Sequence, residues 1–136
     1  MNLPPRLAAL VVKNGVSPGL LGEADRALVL ALAASALEGG REYREAEVNR
    51  LLMAWLHGAG AMLRVDHVEL RRWLVDAGFM WRDGFGRAYV RGTPEMDRAV
   101  ALLGDCPAEE LEAAVIALRA AKVAERESKR LAYADH

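Results

Sequence analysis

Five arginines fall within the stretch "DHVELRRWLVDAGFMWRDGFGRAYVR", Asp66 to Arg91. A guanidinium is a planar fork of donors that matches phosphate oxygens and the outer edge of guanine, so arginines gathered on one surface suit nucleic acid. Arg71 and Arg72 are adjacent, and Arg82, Arg87 and Arg91 follow with Tyr89 among them. Other reactive groups are sparse. Cys106 is the single cysteine, which excludes an internal disulfide and a cysteine-built zinc cage. It precedes Pro107 at a predicted helix start, where the helix dipole would lower its pKa, but no histidine stands at a useful distance to make it a catalytic thiol. His57, His67 and His136 show no metal-ligand spacing with one another or with Cys106. "GAGAML" and "GFGRAY" lack the third glycine and the strand–turn–helix setting of a dinucleotide site. No enzyme, cofactor or metal is therefore expected.

These arginines must be positioned by a helix and a hairpin. Asp66 can cap a helix with Glu69 three residues on, Leu70, Trp73, Leu74 and Ala77 form an inward stripe, and Gly78 stops it. The 100° step per residue then places Val68, Arg71, Arg72 and Val75 on the opposite side. Two strands follow. Alternation puts Phe79, Trp81, Ala88 and Val90 on one face and Met80, Arg82, Arg87, Tyr89 and Arg91 on the other, whether the turn is "DG" or "DGFG". The four-residue turn would oppose Arg82 to Arg87, an arrangement that an anion between them would relieve. On a DNA reading, the outward helix side enters the groove, Val68 and Val75 touch thymine methyls, and the hairpin arginines with Tyr89 follow the backbone. The alternatives are that Arg71 and Arg72 pair with neighbouring acids, that the two valines bury against a partner helix, and that Tyr89 packs on Met80.

Upstream, an apolar helix is predicted from about Glu23 to Leu37, stopped by "EGG". A second runs from Glu45 to His57 with Val48, Leu51, Leu52, Trp55 and Leu56 in one stripe and Asn49 at its edge, where it would tie down a neighbouring backbone. Residues 1–22, broken by Pro4, Pro5, Gly15, Pro18 and Gly22, are expected to form an irregular arm, although "LAALVV" could make a short strand or a helical turn. Trp55, Trp73 and Trp81 are expected to meet in one core cluster. After Gly92 a short helix is predicted with Thr93 as cap, Pro94 in its first turn and Gly104 as stop. A longer one starts at Pro107, with Leu111, Ala114, Val115, Leu118 and Ala121 along one side.

The chain of 136 residues is 53% hydrophobic and 27% charged, which places it among globular proteins and not disordered ones. Its formal charge of −1 gives no global pull toward nucleic acid, so any basic patch must be local. From Ala61 to Gly92, six arginines against four acids leave +2, whereas from Thr93 onward six basic residues against nine acids leave −3. The apolar run Ala27–Leu37 is too short to span a bilayer. "AASA" within it looks like a signal-peptidase site, but Glu23 and Asp25 precede the run and the upstream segment is not a short basic one, so a cytoplasmic protein is expected.

Three helices followed by a hairpin is the winged-helix order, in which the helix before the hairpin enters the major groove. The wording of the motifs adds to that order. "REYREAEVNRLL" and "HVELRRWLVDAGFMWRDGFGRAYVR" resemble a bacterial family listed as domain of unknown function 2087, through Tyr43, Glu45, Glu47, Val48, Asn49, Leu70, Arg71, Arg72, Leu74, Val75, Gly78, Arg82, Gly86, Tyr89 and Arg91. The resemblance covers about half the chain and implies a small winged-helix-like domain, sometimes attached to bacterial regulators. The sequence departs from the pattern at Arg44, where a capping Thr or Ser is usual, and in the first helix, which lacks a basic start. The segment after Gly92 has no counterpart in the motif. The expectation is thus a mainly α chain: an arm (1–22), a winged-helix-like domain with a two-stranded wing (23–92) and a C-terminal helical extension (93–136). Its function would be DNA binding in a bacterial transcriptional regulator, with a homodimer formed through the C-terminal helices. The alternative is a protein-interaction or assembly module of the same shape that binds no DNA.

Overall fold

A computed structural model describes residues 3–85, 87–93 and 95–134. The helices are α1 (Pro5–Val11), α2 (Glu23–Ala34), α3 (Glu45–His57), α4 (His67–Asp76), α5 (Arg98–Leu103) and α6 (Ala108–Ala134), with a 3₁₀ turn at Pro18–Leu20. The strands are β1 (Glu42–Tyr43), β2 (Met80–Arg82) and β3 (Tyr89–Arg91). The chain is therefore mainly helical, with a small antiparallel sheet in the order β1-β3-β2. From α2 to β3 the succession is helix, strand, two helices, hairpin. The strand β1 was not foreseen: two residues, "EY", are too short to show alternation, and pairing of Glu42 with Val90 and Tyr43 with Tyr89 makes them a strand.

α2 is the centre of the molecule. Val29 to Ala34 are all buried, because α1 packs on one side of the helix, α5 on another and α4 on a third. α1 replaces the expected irregular arm. Pro4 and Pro5 begin the helix, where a missing N–H costs nothing, and Leu7, Leu10 and Val11 turn inward. Arg6 then clasps Asp25 of α2 with two charge-assisted bonds, Nε to Oδ1 at 2.8 Å and Nη2 to Oδ2 at 2.6 Å. Val16 extends the same tie: its N–H donates to the Met62 carbonyl at 2.9 Å and its carbonyl accepts from Arg64 at 2.7 Å.

α3 has the expected bounds, and Val48, Leu52 and Trp55 are its buried residues. Arg44 cannot accept at the cap position, yet the reverse half of the capping box forms, with the Arg44 N–H donating to Glu47 Oε1 at 3.1 Å. α4 starts on the expected cap, Asp66 accepting from the Glu69 N–H at 2.8 Å. It stops at Gly78, whose φ of +81° lets the Phe79 N–H reach back to the Leu74 carbonyl at 2.8 Å. That reversal feeds the chain directly into β2.

Three expectations about packing are corrected. The tryptophans do not cluster: Trp55 is buried, Trp73 is half-buried beneath the Arg26 guanidinium at 4.8 Å, and Trp81 is 51% exposed on the outer sheet face beside Val90. The short helix after Gly92 starts at Arg98, with Asp97 as its cap. Thr93 instead closes a turn onto Met96, its hydroxyl accepting from the Met96 N–H at 3.0 Å, and the predicted role of Pro94 lies outside the described residues. In the hairpin Arg82 faces Tyr89, so Arg82 and Arg87 are not opposed. Asp83 decides this register. Its carboxylate accepts from the Arg87 N–H at 2.8 Å and its own N–H donates to the Ala88 carbonyl at 3.1 Å, so Asp83 of "DGFG" joins the ladder and the register moves by two residues. The shift is again even, so the predicted division of faces is preserved.

The start of α6 docks through Leu111 and Val115, and Arg119 caps the carboxyl end of α1 by donating to the carbonyls of Val11 (2.9 Å) and Lys13 (2.8 Å). Among the described residues no helix is long and apolar enough to cross a membrane.

Candidate nucleic-acid interface

The eight residues expected on a DNA-facing surface divide into two sets. Arg71, Tyr89 and Arg91 point into the protein. Tyr89 is fully buried in the middle strand, and its hydroxyl donates to Glu45 Oε1 at 3.0 Å. Arg71 Nη2 lies 3.3 Å from the same oxygen, its Nη1 donates to Asn49 Oδ1, and its guanidinium sits over the Tyr89 ring at 6.0 Å. One carboxylate at the start of α3 is thus shared by a cation from α4 and a phenol from β3. Asn49 serves a side chain and not the neighbouring backbone expected for it. Arg91 is held by Asp97 through Nε at 2.7 Å and by the Leu37 carbonyl through Nη1 at 2.8 Å.

The helical wheel puts Arg71 on the shoulder of α4, within reach of partners on α3. The buried residues of α4, Leu70 and Leu74, centre the inward face, and Arg71 stands about 80° from that centre. The outward side carries Glu69, Arg72 and Asp76, all exposed, with Val68 half-buried among them; Val75 packs against the core. Arg72, Arg82 and Arg87 are exposed. Arg82 is directly across from Tyr89 in the ladder, and Arg87 at the turn stands 5.1 Å over the Phe85 ring. The turn residue Gly86, one of those carrying the family resemblance, lies outside the described residues.

The family itself is settled by a comparison. The family model described as "Uncharacterized protein conserved in bacteria (DUF2087)" matches residues 22–91, just over half of the chain. The chain belongs to this family. The matched region of domain of unknown function 2087 runs from the cap of α2 to the end of β3, and the motif residues Glu45, Asn49, Arg71 and Tyr89 inside it form the hydrogen-bonded network just described. Searches of the curated proteins and of the solved structures found no match.

Other chemistry is thin. Among the described residues no group of His, Cys, Asp and Glu could hold a metal ion, and His136 lies outside them. A groove of about 800 Å³ between the end of α2, α3 and the start of α6 mixes Glu38, Glu47 and Glu109 with Arg41 and Arg50, so no single charge sign converges there. Cys106 lies at its edge. Burial pushes the Cys106 thiol up, and the Glu110 carboxylate, accepting from its Sγ at 3.4 Å, pushes in the same direction. That reverses the lowering expected from the helix start. At pH 8 Cys106 should react with a disulfide reagent several-fold more slowly than free cysteine, because less of it is thiolate. A reaction as fast as that of free cysteine would contradict this environment.

Proposed function

We propose that this domain is a DNA-binding winged-helix module of a cytoplasmic bacterial regulator, gripping backbone phosphates through Arg72, Arg82 and Arg87. The observation that carries the reading is the placement of exposed arginines on the helix before the hairpin and on the hairpin itself, within the helix–strand–helix–helix–hairpin order. Phosphate contacts position a protein without reading sequence. Three of them make weak binding, with a slope of log affinity against log salt of about −2.7 for one module. Two modules held together by the C-terminal helices would double the number of contacts.

A labelled duplex titrated at rising salt tests this. Binding should weaken with about that slope per module, and the double variant Arg72→Ala, Arg87→Ala should flatten it by about 1.8. No binding at low salt by the folded protein would reject the DNA reading. The second reading, a protein-interaction module, is favoured by a specific feature: Glu69 and Asp76 flank Arg72 on α4, while Trp81 and Phe85 stand 51% and 81% exposed on the wing. Fold alone does not choose between them.

A further inference from the structure

We propose that the outer face of α6 is the docking surface for a second copy of this chain, paired antiparallel about a two-fold axis at Ala120. The proposal deepens the dimer named above and stands independently of DNA binding. α6 has 27 residues, about 40 Å, and only Leu111 and Val115 are buried. From Val123 to Ala134 every residue is exposed, so the last three turns leave the body of the protein with nothing packed on them. A helix that short gains little stability in water by itself.

The opposite side from the docked stripe carries its own pattern. Glu109, Ala113, Ile116, Ala120, Val123, Glu127, Arg130 and Ala134 succeed one another at spacings of four and three without a break, and all are exposed. Ile116 is 50% and Val123 63% exposed at the centre of this seam. An unbroken four–three spacing is what two helices need to keep one seam in contact.

Charge then selects the partner and its direction. Laid antiparallel about Ala120, Ile116 of one copy meets Val123 of the second copy, Ala113 meets Glu127, and Glu109 meets Arg130, which within its own chain also holds Glu127 through Nε and Nη2; each contact occurs twice. A parallel pair in register would instead stack Glu109 on Glu109, Glu127 on Glu127 and Arg130 on Arg130, and like charges at these positions repel. Alanine at the crossing point allows close approach of the axes. The seam is thus complementary to a reversed copy of itself, which is the requirement for a closed two-fold interface.

The test uses the full chain. Light scattering should give twice the chain mass, and Ile116→Glu with Val123→Glu should return it to the chain mass with an unchanged circular dichroism spectrum. A chain-sized particle at the highest soluble concentration, or a dimer that survives both glutamates, would overturn the proposal. Direction is read by cross-linking in a Cys106→Ala background. Ala120→Cys should oxidise to a covalent dimer, whereas Ile116→Cys should not link to itself, because the two sulfurs would be about 12 Å apart along the axis. Equal self-linking at both positions would mean a parallel pair and would also overturn it.

Discussion

Tyr89→Ala should destabilise the protein by about 3–5 kcal/mol, the range for removing a buried aromatic ring. Tyr89 is completely buried in the central strand, paired with Tyr43 on one side and Arg82 on the other, so the cavity would open where the sheet meets α3 and α4. Tyr89→Phe separates the ring from its hydroxyl. It deletes the 3.0 Å bond to Glu45 and should cost only about 1 kcal/mol, since the Glu45 side chain is 49% exposed and water can replace the phenol. Urea unfolding of the three proteins measures both values. A Tyr89→Ala protein as stable as the wild type would show that the ring is not part of the core. If Tyr89 instead followed a DNA backbone, the same substitution would remove binding and leave stability intact.

The contrast shows which parts of the molecule were legible in the sequence. α3 and α4 were readable because stripe, cap and stop agree: Glu45 to His57 carries one continuous apolar row, and Asp66 and Gly78 bracket the next. The hairpin faces were readable because alternation survives any even change of register. What could not be read was which polar residues face each other across elements. Arg71 lies at the edge of the outward arc on α4, and only Glu45 and Asn49, 26 and 22 positions earlier in the chain, explain why it turns in. Arg91 likewise needed Leu37, 54 positions away. The tryptophans failed for a related reason. Periodicity marks a side as apolar, but on β2, the edge strand of the sheet, the side chain of Trp81 is left 51% exposed. α1 was left open between a short strand and a helical turn because its apolar row spans only seven residues, and α2 supplies the surface that makes the helix worth forming.

Inward-facing arginines also revise what the family motif means in this chain. A basic motif on a helix and hairpin reads as a binding surface when each residue is judged alone. Here Arg71 and Arg91 are 15% and 13% exposed at the side chain, and each neutralises an acid from another element. The local surplus of positive charge counted along the sequence is therefore smaller at the surface, and the DNA reading rests on Arg72, Arg82 and Arg87.

Arg91→Leu should cost about 2–3 kcal/mol, somewhat below the range for breaking a fully buried pair because the Asp97 side chain is 24% exposed. Arg91 ends the central strand and ties two other parts of the chain to it: the turn after α2, through the Leu37 carbonyl, and the cap of α5, through Asp97. Gly39 lies so close that a Cβ there would stand 2.7 Å from Arg91 Nη2, so the turn is shaped around the guanidinium. Leucine fills much of the space but leaves the Leu37 carbonyl and one carboxylate oxygen without their donor. Arg91→Lys should recover less than half of the loss, since one ammonium cannot reproduce a fork that reaches both partners. Asp97→Asn keeps the oxygen that accepts from the Ala99 and Val100 N–H groups and replaces Oδ2, the acceptor for Arg91, by an amide NH2. A double-mutant cycle between Arg91→Leu and Asp97→Asn should therefore return a coupling of about 1–2 kcal/mol. Arg82→Leu, on the same ribbon and exposed, should stay within about 0.5 kcal/mol of the parent. Equal losses at Arg82 and Arg91 would mean that both are surface cations, and the division of the arginines into structural and exposed sets would be wrong.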